Sequence, residues 1–322
     1  MKAVFGPFDQ LIRILEKTVP VTVVGSEKGV RILASKEEDA ERAARALETA
    51  REMQKKGMAL NELTFRQALE LTQDGEEKEA LAVMQDVITL TYRGKPVRAR
   101  TIGQRRYVDA IRGNTVTVCI GPAGTGKTYL AIATAVEALK REEISRIILT
   151  RPAVEAGEHL GFLPGDLQSK VDPYLRPLYD GLFEMMGEEK FRTCLERGII
   201  EVAPLAYMRG RTLSNCMVIM DESQNASLEQ LFMVLTRLGE GSKMIVTGDI
   251  TQIDLKDVSS GLEKCAQILK DVEGVGVLHL TGRDVVRHQL VKDIIAAFEA
   301  YQAKEEKNKK PENAPQRKDR RR

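Results

Sequence analysis

Gly121, Pro122, Ala123, Gly124, Thr125, Gly126, Lys127 and Thr128 run in the order Gly-x-x-x-x-Gly-Lys-Thr, directly after the apolar stretch TVTVCI and directly before YLAIATAVEAL. The glycines let successive backbone N–H groups turn inward, and a helix starting at the end of the loop points its positive end into the same space. The spacing therefore predicts a cradle for a phosphate chain. Lys127 is placed to reach β and γ oxygens, and Thr128 to offer its hydroxyl to a magnesium ion. The ligand this chemistry predicts is ATP with Mg²⁺.

Two further carboxylate positions follow strands. CMVIMDES ends a buried run in Asp221 and Glu222, adjacent acids that are costly at such a place unless they bind something. Asp221 suits the Walker B role of holding Mg²⁺, and Glu222 suits a general base acting on water. KMIVTGDITQID ends another buried run in Thr247, Gly248, Asp249 and Gln252, of which Asp249 and Gln252 are placed to sense a γ-phosphate; a polar turn is the plainer reading of the same residues. Upstream, Gln104 precedes a short helix leading into the loop strand, where its amide could read adenine. Of Arg151, Arg176, Arg209, Arg211, Arg283 and Arg287, all near strand ends or in connecting segments, Arg283 and Arg287 are the candidates for a finger that stabilises transition-state charge. His159, His279 and His288 have no metal-ligand spacing, and His279 within VGVLHL reads as a core residue.

Positioning these groups requires a particular kind of scaffold. From Thr115 onward short apolar runs alternate with helical patterns, at TVTVCI (115–120), RIILT (146–150), IIEVA (199–203), CMVIM (216–220), KMIVT (243–247) and VGVLHL (275–280). That alternation predicts βαβ units in one parallel sheet with helices on both faces. About 90 residues and at least one strand separate the loop from Asp221, a layout similar to the P-loop ATPases with an added strand, which include RecA and the helicases. Before this sheet, residues 1–92 read as a small α+β unit: a helix over Asp9–Lys17, a hairpin within VTVVGSEKGVRILA, a long Ala-rich helix, and helical patterns at about 61–71 and 76–91. RGKPVRARTIGQRRY, with six Lys or Arg from Arg93 to Arg106 and no acid before Asp109, reads as a basic linker opening the ATPase domain of residues 93–300.

Composition narrows the class. With 43% hydrophobic and 30% charged residues the chain has material for a sizeable core and no global disorder. The formal net charge of +2 is uneven, because residues 302–322 hold nine Lys or Arg against four Asp or Glu; this stretch, within a tail of 301–322, reads as disordered, and as either a non-specific RNA contact or a solvated end. Four scattered cysteines without zinc or redox spacing fit a reduced setting, and no apolar run approaches the roughly 18 residues of a membrane span. A cytoplasmic location without membrane attachment is expected.

The stretches ILTRPAVEAGEHLGFLPGDLQSKVDPYLRPLYD, MRGRTLSNCMVIMDESQN, VTGDITQIDL and DVVRHQLV resemble the PhoH family of bacterial ATPases, over essentially residues 96–298. The resemblance implies a RecA-like ATPase, often ring-forming, linked to RNA metabolism, with an endoribonuclease of ribosome maturation as a partner. The first unit is similar to the KH-like region of the PhoH-like subgroup that lacks a PIN nuclease domain, although its hairpin carries Gly25-Ser26-Glu27-Lys28-Gly29 in place of the GxxG clamp. A two-lobed helicase closes ATP between lobes, and this chain has sequence for one. The expectation is a homo-oligomer, a hexamer, with a finger arginine acting in trans. Two other functions fit the same motifs: a nucleotide-gated scaffold for the endoribonuclease, and a small-molecule kinase.

Overall fold

The computed structural model describes residues 10–26, 29–55, 86–152, 167–253 and 260–286, with a few positions within 60–72 and 290–294. Contacts divide the chain into Met1–Val285 and Val286–Arg322, and every element named below belongs to the first unit.

Helix α1 (Gln10–Thr18) buries Leu11, Ile14 and Leu15, one stripe at helical spacing. Strands β1 (Val21–Ser26) and β2 (Gly29–Ala34) pair antiparallel, from Val21↔Ala34 to Ser26↔Gly29. Helix α2 (Glu37–Lys55) has three acids in its first turn and Lys55 in its last, the distribution its dipole favours. Its Ala43, Ala46 and Ala50 join Leu11, Ile14, Leu15 and Val21 in a core of their own. The expected helix, hairpin and helix are all present.

The next segment departs from expectation. Residues 87–90, read from the sequence as the end of a helix, form strand β3 (Val87–Leu90), which pairs antiparallel with β4 (Pro96–Arg98). The β-branched residues Val87, Ile88 and Thr89 suit a strand, and Ile88 and Val97 bury themselves in the core of the large sheet. The stretch expected to be a linker is thus the second half of a hairpin followed by the start of helix α3 (Ile102–Gly113).

The six expected strands are all found: β5 (Val116–Ile120), β6 (Arg146–Arg151), β7 (Ile200–Pro204), β8 (Cys216–Met220), β9 (Lys243–Gly248) and β10 (Val275–His279). They form one sheet in the order β10-β5-β9-β8-β6-β7, every neighbouring pair parallel. Alternate residues of each central strand go to opposite faces. Met217, Ile219, Ile147, Leu149 and Ile245 pack under helices α4 (Lys127–Lys140), α5 (Leu167–Met186) and α6 (Glu188–Glu196). Val116, Val118, Ile148, Val218 and Val246 pack under α7 (Leu228–Leu235) and α8 (Leu262–Leu269). Double-faced burial explains why these strands read as continuous apolar runs. Because β10 lies at the sheet's edge, His279 is exposed and is not the core residue its sequence context suggested.

Candidate nucleotide site

Six parallel strands bring their C-terminal ends to one edge, where ligands of such sheets bind. Strand β9 lies between β5 and β8, so the loop after β5, Arg151 at the end of β6, Asp221 after β8 and Asp249 after β9 converge.

Gly124 and Gly126 adopt φ of 82° and 80°, left-handed values open to glycine at little cost. Lys127 opens helix α4, and its Nζ donates to the carbonyls of Gly121 at 2.5 Å and Pro122 at 3.0 Å. Burial lowers the Lys127 pKa from 10.5, opposed foremost by the charge of Asp249. Below the loop, the Tyr107 hydroxyl donates to Lys127 O at 3.2 Å, and burial pushes that phenol well above its usual 10.

Gln104 sits against the loop and is 4% exposed. Its Oε1 accepts from the Arg100 N–H at 2.7 Å and its Nε2 donates to Thr125 O at 2.9 Å. Half of the amide's hydrogen-bonding capacity is thereby used in bracing the phosphate loop, a task its sequence position did not reveal.

Asp221, 2% exposed, is the hub of the site. Its Oδ1 accepts from the hydroxyls of Thr128 at 2.7 Å and Thr247 at 2.6 Å, and its Oδ2 from Arg151 at 2.8 Å. Arg151 also reaches Glu222 Oε1 at 3.1 Å, so a single guanidinium bridges both acids. Glu222 holds a left-handed backbone, φ 52° and ψ 38°, which turns its side chain away from the strand axis at a cost of roughly 1–2 kcal/mol for a residue with a β-carbon. Gln224, 1% exposed, holds it there: its Nε2 donates to Glu222 Oε2 at 2.6 Å and Gln252 O at 3.0 Å, while its Oε1 accepts from Asp249 N–H at 2.9 Å.

Of the two expected sensors, Asp249 is buried inside the cluster and Gln252 is exposed at its rim. Asp249 Oδ1 accepts from the Thr251 N–H and hydroxyl, whereas its buried Oδ2 has no hydrogen-bond partner among the described residues. Arg283 lies exposed on the short turn Gly282–Asp284 after β10, a turn tied to the start of α3 by the Thr101 hydroxyl donating to Asp284 Oδ1 at 2.6 Å. Arg287 falls outside the described residues. Gln224 went unnoticed in the sequence and Arg151 was one arginine among six; the contacts that tie Gln224 to Asp249 and Gln252, and Arg151 to Asp221 and Glu222, cross from one strand end to another and leave no local signal.

The residues present fit a magnesium nucleotide. Mg²⁺ takes few protein ligands and keeps its water and phosphate oxygens. One threonine hydroxyl beside one carboxylate, with an unpartnered carboxylate oxygen of Asp249 nearby, is such a donor set. Among the described residues there is no group of three His, Cys, Asp or Glu that would suit a different metal.

Residues 96–299 match the family described as PhoH-like protein. The chain belongs to that family. A PhoH-like protein of Synechocystis sp. is 54% identical over 86% of this chain and 82% of its own length. One from Bacillus subtilis is 47% identical over 92% of this chain and 93% of its own. Protein PhoH of Escherichia coli is 45% identical over 63% of this chain and 58% of its own length. A Sulfolobus solfataricus SWI2/SNF2 ATPase core solved with dsDNA overlaps 45% of this chain and 31% of that one at 18% identity and a TM-score of 0.31, too slight a likeness to carry an argument.

Proposed function

We propose that this PhoH-like protein binds ATP with Mg²⁺ in the loop of residues 121–128, hydrolyses it with Glu222 as the base, and applies the cycle to RNA in RNA processing or ribosome maturation. The observation that carries the ATPase reading is the convergence of Lys127, Thr128, Asp221, Glu222 and Asp249 at one sheet edge, with a buried Asp249 oxygen that accepts no hydrogen bond from the described residues. Thr128 and Asp221 would hold Mg²⁺, which supplies charge neutralisation on the phosphates. Lys127 binds and orients the phosphate chain. Glu222, held by Gln224 and partly exposed, would take a proton from water, a role that suits hydrolysis better than transfer to a metabolite.

RNA as the target rests on the family resemblance and on the run of cations from Arg93 to Arg106. With one ATPase lobe per chain, assembly into a ring supplies the second wall of the site, and the exposed Arg283 or Arg287 serves a neighbour as its finger. Four free, buried cysteines suit work in the cytoplasm, and no described helix is long and apolar enough to cross a membrane. One observation favours the second reading, a nucleotide-gated scaffold for an endoribonuclease: the Arg151 bridge engages both acids, which would make unstimulated turnover slow.

Phosphate release by the full chain, with Mg²⁺ and with or without single-stranded RNA, separates these readings. The expected result is slow release accelerated by RNA, with Glu222→Gln binding ATP but turning over roughly 10²- to 10⁴-fold more slowly. Release indifferent to RNA removes RNA from the reading, and no release under either condition leaves the scaffold.

A further inference from the structure

The β3–β4 hairpin presents a face that nucleotide chemistry does not use. Its Ile88, Val97 and Ala99 point into the core and bury. Outward stand Leu90 and Tyr92, the latter 54% exposed, with Arg93, Lys95, Arg98 and Arg100 all exposed. From β4 onward, period-two alternation sends Val97 and Ala99 inward and Arg98 and Arg100 outward.

Those four cations form no ion pair with any described residue. The contrast with the rest of the basic stretch is informative, since Arg105 pairs with Asp86 and Asp109, and Arg112 with Asp86. Acids near the hairpin tip are already engaged: Glu184 accepts from the Tyr129 hydroxyl at 3.0 Å and Glu188 from Arg192 at 2.5 Å. Four like charges on one short hairpin repel one another and attract a polyanion. An exposed aromatic among them adds a platform on which a base can stack, and the Arg93 guanidinium, 5.1 Å from the Tyr92 ring centre, would pack beside it. A duplex hides its base faces, so this combination selects a single strand.

The face is also firmly mounted. Lys140, in the last turn of the P-loop helix, donates to Thr89 Oγ1 and Leu90 O, both at 3.0 Å, and the Tyr92 N–H donates to Glu184 O in α5 at 3.1 Å. Where the hairpin ends, the Arg100 N–H is held by Gln104, whose other end holds the phosphate loop at Thr125. A strand lying on the hairpin is two hydrogen bonds from the nucleotide cradle.

We infer that this hairpin face is where the chain holds single-stranded RNA, Tyr92 stacking on a base and Arg93, Lys95, Arg98 and Arg100 following the phosphates. The inference rests on the RNA reading above and names its surface. The test is fluorescence anisotropy of a labelled oligouridylate titrated with the full chain over a range of salt. Tyr92→Ala should weaken binding roughly 5- to 100-fold while Tyr92→Phe binds like the parent. The pair Arg93→Gln and Lys95→Gln should flatten the slope of log K against log salt by about 1.4, two phosphate contacts' worth. Unchanged urea midpoints show that the variants are folded. If the parent binds RNA and all variants match it, the hairpin is not the site and the RNA reading survives; if the parent binds no RNA at any salt, both fall. Stronger binding of a blunt RNA duplex than of the oligouridylate also overturns the inference.

Discussion

The nucleotide cleft and the β3–β4 hairpin both gather charge, and they hold it in opposite ways. In the cleft Arg151, Asp221 and Glu222 lie at the end of buried strands, and the Asp221 side chain is 3% exposed with its oxygens shared among three donors. On the hairpin four cations stand exposed and form no ion pair with any described residue. Burial makes each charge of the cleft dependent on the others, since a carboxylate out of water needs its partners. Exposure leaves each hairpin cation independent of the fold. One region is built for a single ligand in a single pose, the other for any stretch of polyanion in reach.

Arginine substitutions put that contrast to its hardest test. Arg151→Ala leaves Asp221 buried without its counter-charge and should lower unfolding free energy by about 3–5 kcal/mol, the usual result of breaking a buried pair. Arg93→Ala, by comparison, should stay within about 0.5 kcal/mol of the parent. Urea unfolding of the two variants decides, and equal losses would erase the distinction between the regions. Saturating ATP with Mg²⁺ should restore much of the Arg151→Ala loss, because a bound cation takes over the neutralising of Asp221.

The two regions also differed in how far the sequence disclosed them. The phosphate loop was legible because eight consecutive residues encode its geometry, and the six strands because double-faced burial writes itself as unbroken apolar runs. Asp221 and Glu222 were legible from their place at a strand end. Strand β3 was not, since four residues cannot show a period, and their pairing partner lies across a turn. His279 misled because VGVLHL looks like the central strands, and only sheet order shows that it lies at the edge. Arg151 and Gln224 act through contacts 70 and 28 residues away, which no local pattern carries.

Gln104 stands between the two regions, and its substitution should have an intermediate effect. Truncating Gln104→Ala leaves the Arg100 N–H and the Thr125 carbonyl without their buried partner, a loss of about 1–3 kcal/mol. Part of it should appear as an ATP KM raised about tenfold, because the loop loses its brace. Acceleration of phosphate release by RNA should fall as well, if the hairpin and the loop communicate through this amide. A raised KM with RNA acceleration intact would mean that the two regions act separately.

The smallest effect expected is a dependence of ATP affinity on pH, and it belongs to the cleft alone. Burial lowers the Lys127 pKa from its ordinary 10.5 because dehydration opposes the ammonium more than Asp249, Asp221 and Glu222 support it. A bound phosphate chain adds negative charge beside Nζ and raises that pKa again. Between the lowered and the raised value, binding takes up a proton, so affinity falls as pH climbs through this window; below it the lysine is charged in both states and affinity is level. Titration with a fluorescent ATP analogue from neutral pH to about 10 should show a decline of less than tenfold for the parent. Lys127→Arg, whose guanidinium stays charged throughout, should bind more weakly but with no such decline. A parallel decline in both proteins would assign the proton to another group and remove Lys127 from the phosphate contact.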